Sequence, residues 1–210
     1  ADRQPEFTQL DLEMSFVEQE DIMQLMEGLL TDLVPDVSDK RVLASPFPRF
    51  TYAEAMDRYG SDKPDVRFEM YLTDLSDIVA ESDFRVFSGT VASGGQVKAI
   101  NASGCADYTR RDLDELTEMA QGYGAKGLAY IQVREDDLRS SILKFLSDKE
   151  TKAILERMNA AAGDLILIVA DQSAVVAEVL GQLRLDIGRR LELMDDDVLG
   201  FAWITDFPLV

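Results

Sequence analysis

Asp2-Arg-Gln-Pro-Glu-Phe-Thr-Gln-Leu-Asp-Leu-Glu-Met-Ser-Phe16 decides how the rest of the chain is read. From Phe7 the residues alternate: Leu10, Leu12, Met14 and Phe16 fall on one side, and Phe7, Gln9, Asp11, Glu13 and Ser15 on the other. A period of two predicts a strand with one apolar face. On the opposite face, alternate residues stand roughly 7 Å apart at about 3.3 Å per residue, so an amide and two carboxylates line up behind an aromatic ring. Two readings stay open for that row. It is the wetted side of a half-exposed strand, or it lines a polar site. In the second case Asp11 accepts from an ammonium group, Gln9 is a neutral hydrogen-bonding partner, and Phe7 stacks a base. Arg3 and Gln4 then reach phosphate or sugar.

Working outward, Glu18-Gln-Glu-Asp21 places negative charge at a helix N-terminus. Ile22, Leu25, Met26, Leu29, Leu30 and Leu33 follow at helical spacing, with Pro35 as the stop. That stripe is expected to cover the apolar face of the opening strand. Pro46-Phe-Pro-Arg-Phe50 reads as extended, and Thr51-Tyr-Ala-Glu54 is a capping box that opens a brief helix. Gly60-Ser-Asp-Lys-Pro-Asp65 is rich in turn formers. It reads as a turn, or as a loop whose Lys63 touches an anionic substrate.

From about Ser82 the texture changes. Phe84-Arg-Val-Phe87 and Gln96-Val-Lys-Ala-Ile100 read as two strands joined through Ser93-Gly-Gly95. Thr109 caps a helix carrying Leu113, Leu116 and Met119 up to Gly122. Lys126 to Val133 is another strand, and Ser147-Asp-Lys-Glu150 is a second capping box. The β, β, α, β run from about Ser82 to Val133 is compact enough to form a small α+β module. Asp164-Leu-Ile-Leu-Ile-Val-Ala170 is the most continuously apolar strand, so it should be central and covered on both faces. A helix through Val175, Val179 and Leu183 and a strand Gly200-Phe-Ala-Trp-Ile-Thr205 read as a return to a larger sheet. No internal repeat or sustained heptad is present.

Composition narrows the chemistry. With Cys105 as the only cysteine and no histidine, an internal disulfide, a Cys/His zinc site and any imidazole-based triad are excluded. Catalysis would have to rest on carboxylates, Arg, Lys, a nucleotide or carboxylate-bound magnesium. A formal charge of −19 argues against a free-standing nucleic-acid binder. The basic doublets Arg110-Arg111 and Arg189-Arg190 read as surface helix ends. Asp195-Asp-Asp197 lacks the spacing of a calcium loop and reads as a solvated turn, so no metal ligands are assigned. GxGxxG, P-loop and GxSxG patterns are missing. There is no apolar run near 18 residues and no signal-like start, so neither a membrane span nor export is expected, and the cytoplasm is the default. An apolar end at Phe207-Pro-Leu-Val210 and a start without methionine suggest a piece of a longer chain.

Several stretches carry a family resemblance. Arg3-Gln-Pro-Glu-Phe-Thr-Gln-Leu-Asp11 resembles the second half of motif 2 of bacterial aspartyl-tRNA synthetases, which are class II ligases. The resemblance continues in order through Phe50-Thr-Tyr-Ala-Glu54, Arg58-Tyr-Gly-Ser-Asp-Lys-Pro-Asp65, Tyr123-Gly-Ala-Lys-Gly-Leu-Ala-Tyr-Ile131 and Asp206-Phe-Pro-Leu209. It implies an α+β fold: part of a class II catalytic domain, with an antiparallel sheet and flanking helices, carrying an inserted small α+β domain that resembles the GAD domain. The implied divisions are 1–81 for the first part of the catalytic core, 82–161 for the insertion, and 162–210 for the return of the core.

By the same resemblance, ATP contacts fall to Gln4, Phe7 and Arg3, with Phe7 stacking on adenine. Aspartate recognition falls to Gln9 and Asp11, Asp11 holding the ammonium group, and Lys63 lies on an active-site loop. The implied activity is ligation of aspartate to tRNA: L-aspartate and ATP, with Mg2+, give aspartyl-adenylate, and the aspartyl group passes to tRNA(Asp). Motif 1, the first strand of motif 2, the histidine-containing loop and motif 3 fall outside residues 1–210. No complete catalytic set is therefore expected in this chain, and the chain alone is expected to be inactive. Family members are homodimers built through motif 1, so dimerisation is not expected of this stretch by itself. Two alternatives remain: a non-catalytic paralogue or interaction module, and, within the family, a non-discriminating ligase that also charges the asparagine tRNA.

Overall fold

The computed structural model describes residues 6–209. The elements in chain order are helix α1 (Gln19–Val37), strands β1 (Arg41–Val42) and β2 (Arg49–Thr51), helix α2 (Tyr52–Tyr59), strand β3 (Thr73–Asp74), and helices α3 (Ser76–Val79) and α4 (Arg85–Ala92). Strand β4 (Gln96–Ala102), helix α5 (Arg110–Gly122), strands β5 (Ala129–Val133) and β6 (Leu138–Arg139) and helix α6 (Asp148–Arg157) follow. Strand β7 (Leu165–Asp171), helix α7 (Ser173–Arg190) and strands β8 (Val198–Leu199) and β9 (Trp203–Thr205) complete the chain.

The centre is an antiparallel sheet in the order β3-β4-β7-β5-β6. Strand β7 has β4 on one side and β5 on the other, with Leu167 opposite both Ile100 and Tyr130. Its residues from Leu165 to Val169 are buried on both faces, because helices cover each side. Ile100, Ala102, Leu165, Leu167 and Val169 pack under α5 and α7. Val97, Ala99, Ile131, Ile166 and Ile168 pack with Leu75, Phe87 and Ile154 of the opposite helical layer. A strand covered on both faces carries apolar residues at every position, as Leu165–Asp171 nearly does.

Capping chemistry sets several helix starts. Thr51, Thr109 and Ser147 each accept from the backbone N–H three residues on, and Glu54, Asp112 and Glu150 reach back to the cap. Near the chain ends, β1 pairs with β8 and β2 with β9, both in parallel. These ladders join residues 41–51 to residues 198–205.

Four expectations are corrected. Residues 6–16 form no strand; Leu10, Leu12, Met14 and Phe16 are exposed. A strand requires a hydrogen-bonded neighbour, and none of the described sheets includes this segment. The α1 stripe is consequently uncovered at Ile22, Leu25 and Leu33, and the helix runs through Pro35 to Val37. Phe84 to Phe87 is the start of α4, not a strand. The two rings, three residues apart, meet edge to face at 4.7 Å, as i and i+3 neighbours on a helix do. β7, which follows residue 161, is hydrogen-bonded to β4 and β5. Its two-sided apolar pattern announces a central strand but does not name its neighbours.

Candidate functional site

The sequence-derived residues fall into two groups. Arg3 and Gln4 lie outside the described residues. Phe7, Gln9 and Asp11 sit on the exposed segment without secondary structure. Lys63 belongs to the loop after α2, which is far better defined by its packing.

That loop starts at Gly60, whose φ of +70° closes α2 in the left-handed region. Glycine is required there for two reasons. The conformation is costly for other residues, and a Cβ at this position would lie 2.2 Å from the carbonyl oxygen of Ala177 in α7. Gly181, one turn on, faces the Gly60 carbonyl, whose oxygen would lie 3.0 Å from a Cβ there. Two glycines thus let the backbone of the α2 terminus rest on the backbone of α7. Ser61, Lys63, Pro64 and Asp65 roof a cavity of about 50 Å³ whose floor includes Glu178, Gln182 and Arg184. No residue of the 6–16 segment is in its wall.

Arg184 is the centre of this arrangement. It sits on the buried side of α7 with 1% of its surface exposed. Its Nη2 donates to the carbonyl oxygens of Asp65 at 3.0 Å, Phe68 at 2.6 Å and Glu69 at 2.8 Å. Its Nε donates to the carbonyl of Glu69 and to that of Met70, each at 3.1 Å. The guanidinium carbon lies 3.8 Å from the Phe68 ring centroid and 5.0 Å from that of Tyr59. Burial pushes its pKa down to about 10, which leaves it cationic at neutral pH. The nearby Asp65 carboxylate, together with carbonyl dipoles and ring faces, compensates its desolvation.

The rest of the loop is fixed by Arg67, which holds Asp65 through Nε and Nη2 at 3.0 and 2.7 Å. Burial pushes the Asp65 carboxyl up, but the hydrogen bonds from Arg67 outweigh it and leave it below the usual carboxylate value. Beside the loop, Arg58 lies 4.5 Å from the Tyr71 centroid and 5.7 Å from that of Phe50, which joins α2 to β2. On the other flank, Lys98 of β4 is 4% exposed. It donates to the Asp57 carbonyl at 3.1 Å and pairs with the Asp57 carboxylate. This contact borders a cavity of about 310 Å³ between α2 and the sheet. The first part of the chain and the sheet module therefore meet through buried charges with specific acceptors.

Arg184 carries a sequence signal that composition and motif reading pass over. It occupies a position on the apolar stripe of α7, four residues after Leu180 and one turn before Ile187. A charge on a buried stripe requires a partner.

Residues 87–180 match the GAD domain family model. The whole chain is also 54% identical, over 211 aligned residues, to the aspartate–tRNA(Asp/Asn) ligase of Bacillus cytotoxicus. The chain is thus similar along its whole length to bacterial aspartate–tRNA ligases. The protein of the same name from Bacillus cereus is 54% identical and that from Bacillus thuringiensis 53%. In each case all of this chain is aligned, and the chain spans 36% of the relative's length. The GAD match takes in β4 to β7 and ends within α7, shortly before Arg184. Four of the five strands of the antiparallel sheet, β4 to β7, thus lie within the matched residues, and α7 runs on past them to Arg184 and the 60–70 loop.

Proposed function

We propose that the chain is a working part of an aspartate–tRNA ligase, which condenses L-aspartate with ATP to aspartyl-adenylate and passes the aspartyl group to tRNA(Asp). The identity of 54% along the whole chain supports this reading most strongly. Phe7 stacks on adenine, Gln4 and Arg3 contact the nucleotide, Asp11 accepts from the substrate ammonium group, and Gln9 orients the aspartate. Lys63 faces the site from the Gly60 loop. Within this division of roles the side chains bind and orient. A carboxylate such as Asp11 fixes the ammonium end by a charge-assisted hydrogen bond, and alignment of the reacting groups supplies much of the rate.

Mg2+ belongs to the proposed reaction as the ion of the ATP phosphates, a role that takes only one or two protein carboxylates. Among the described residues no group of three or more His, Cys, Asp or Glu side chains converges. The GAD module, we infer, extends past 161 to include β7 and α7, since β7 is bonded to β4 and β5. A cytoplasmic location and a homodimeric ligase complete the proposal. Among the described residues no helix is long and apolar enough to cross a membrane.

A second reading follows from the relatives' names, which print both Asp and Asn tRNAs: the ligase also charges the asparagine tRNA. Aspartate-dependent ATP–pyrophosphate exchange by the full-length protein that carries this chain tests the main proposal. Exchange that requires aspartate is expected. A full-length protein without it is a non-catalytic paralogue. The 210-residue chain by itself is expected to give no exchange.

A further inference from the structure

We propose that Arg184 is a positioning residue, through which the inserted module holds the 60–70 loop, and with it Lys63, in the geometry the ligase uses. The inference rests on the aspartate-ligase reading for its catalytic consequence and on the geometry alone for its mechanical one.

The contacts are one-sided. Arg184 is anchored on α7, a helix packed on the antiparallel sheet through Val176, Val179, Leu180 and Leu183. Its acceptors, by contrast, are backbone carbonyls of residues 65, 68, 69 and 70. These four carbonyls meet at one guanidinium, and this segment has no helix or strand of its own. The guanidinium therefore replaces secondary structure: its planar fork collects four carbonyls that would otherwise need water or a sheet partner. Met70 is held at φ +65° in the same turn, a strained conformation for a residue with a side chain, of the kind that surrounding contacts must enforce.

The clamp is complemented from the opposite end of the loop. At Gly60 and Gly181 backbone touches backbone, and Lys98 grips Asp57 one turn before. The loop is thus pinned at its start by close packing and at its end by Arg184, with Lys63 on the span between. A module whose sheet includes no residue of 6–16 gains in this way a direct hold on the loop to which the proposed function assigns Lys63. The reach is short and needs no movement.

The test compares Arg184→Lys and Arg184→Met with wild type in the full-length protein, with kinetics of aspartate-dependent ATP–pyrophosphate exchange and amide hydrogen exchange measured in parallel. Lysine keeps the charge but cannot serve four carbonyls; methionine keeps the stem and serves none. Loss of loop geometry is expected to lower kcat about 10- to 100-fold in Arg184→Met, with a smaller loss in Arg184→Lys. Amides of residues 60–70 should exchange faster in both, while those of β4, β5 and β7 stay protected. Wild-type kcat and wild-type loop protection in Arg184→Met would overturn the proposal, as would equal loss of protection across the sheet. If Arg184→Met does not fold, Arg184→Lys decides by the same two readings. If wild type shows no aspartate-dependent exchange, the ligase reading fails, and the amide measurement still decides whether Arg184 holds the loop.

Discussion

Trp203 donates its indole N–H to Glu27 Oε1 at 2.7 Å, which ties β9 to α1 across 176 residues of sequence. Glu27 is buried, and its other oxygen accepts from the backbone N–H of Phe47 at 3.3 Å. Arg49 stands 3.9 Å away. One carboxylate thus joins the first helix, the segment before β2 and the last strand. Glu27→Ala removes a charged acceptor from two donors and is expected to cost about 2–3 kcal/mol. Because Trp203 is the only tryptophan, its fluorescence in a urea titration reads this directly. The emission should shift to the red in the folded variant, and the midpoint should fall. Glu27→Gln, which keeps an acceptor, should lose less.

Gly60→Ala is expected to be among the most damaging single-methyl changes in the chain. The new Cβ would meet the Ala177 carbonyl oxygen at 2.2 Å, and the φ of +70° adds a conformational cost of about 1–2 kcal/mol. Both partners are backbone, so α2 and α7 must separate. A loss of about 3 kcal/mol or more by thermal unfolding follows. Gly94→Ala is a control, with a similar φ of +82° and nothing within 4 Å; it should pay only the conformational part.

The Arg49–Glu20 pair predicts an acid-range signature. Hydrogen bonds from Arg49, then from Gln24, lower the Glu20 pKa to about 2, with Arg49 Nη1 at 2.6 Å from Oε2. A folded-state pKa below the unfolded one means that the pair contributes stability fully above the ordinary glutamate pKa. That contribution is lost as pH falls from there through about 2. An NMR titration of the Glu20 carboxyl should give a midpoint near that value, and Arg49→Gln should move it up toward the ordinary glutamate range. An unchanged midpoint in Arg49→Gln would assign the shift to another group.

What the sequence made legible follows from how local each signal is. The capping boxes at Thr51 and Ser147 need only residues i and i+3, and both helices start where they indicate. The unbroken apolar run to Ala170 reports burial on both faces, which β7 has. Signals that depend on a partner were less readable. The alternation from Phe7 to Phe16 describes a face, but a strand also needs a neighbour to bond with. Phe84 and Phe87 fit either a strand or a helix face over so short a run. Of the proposed site, the alternation singles out Gln9 and Asp11 and the turn-rich loop singles out Lys63, but only the family motifs give them substrates. Arg184 was visible as a misplaced charge on an apolar stripe, yet the four carbonyls it serves come from a segment more than a hundred residues away.

The central claim is that this chain contributes the aspartate-gripping side of a ligase site, and Asp11 carries it. Calorimetric titration of a non-hydrolysable aspartyl-adenylate analogue into the full-length protein and its Asp11→Asn variant tests it most directly. Loss of the ammonium partner is expected to weaken binding about 100-fold, the scale of removing one member of a buried charged pair. Equal affinities in a folded Asp11→Asn protein would contradict the account.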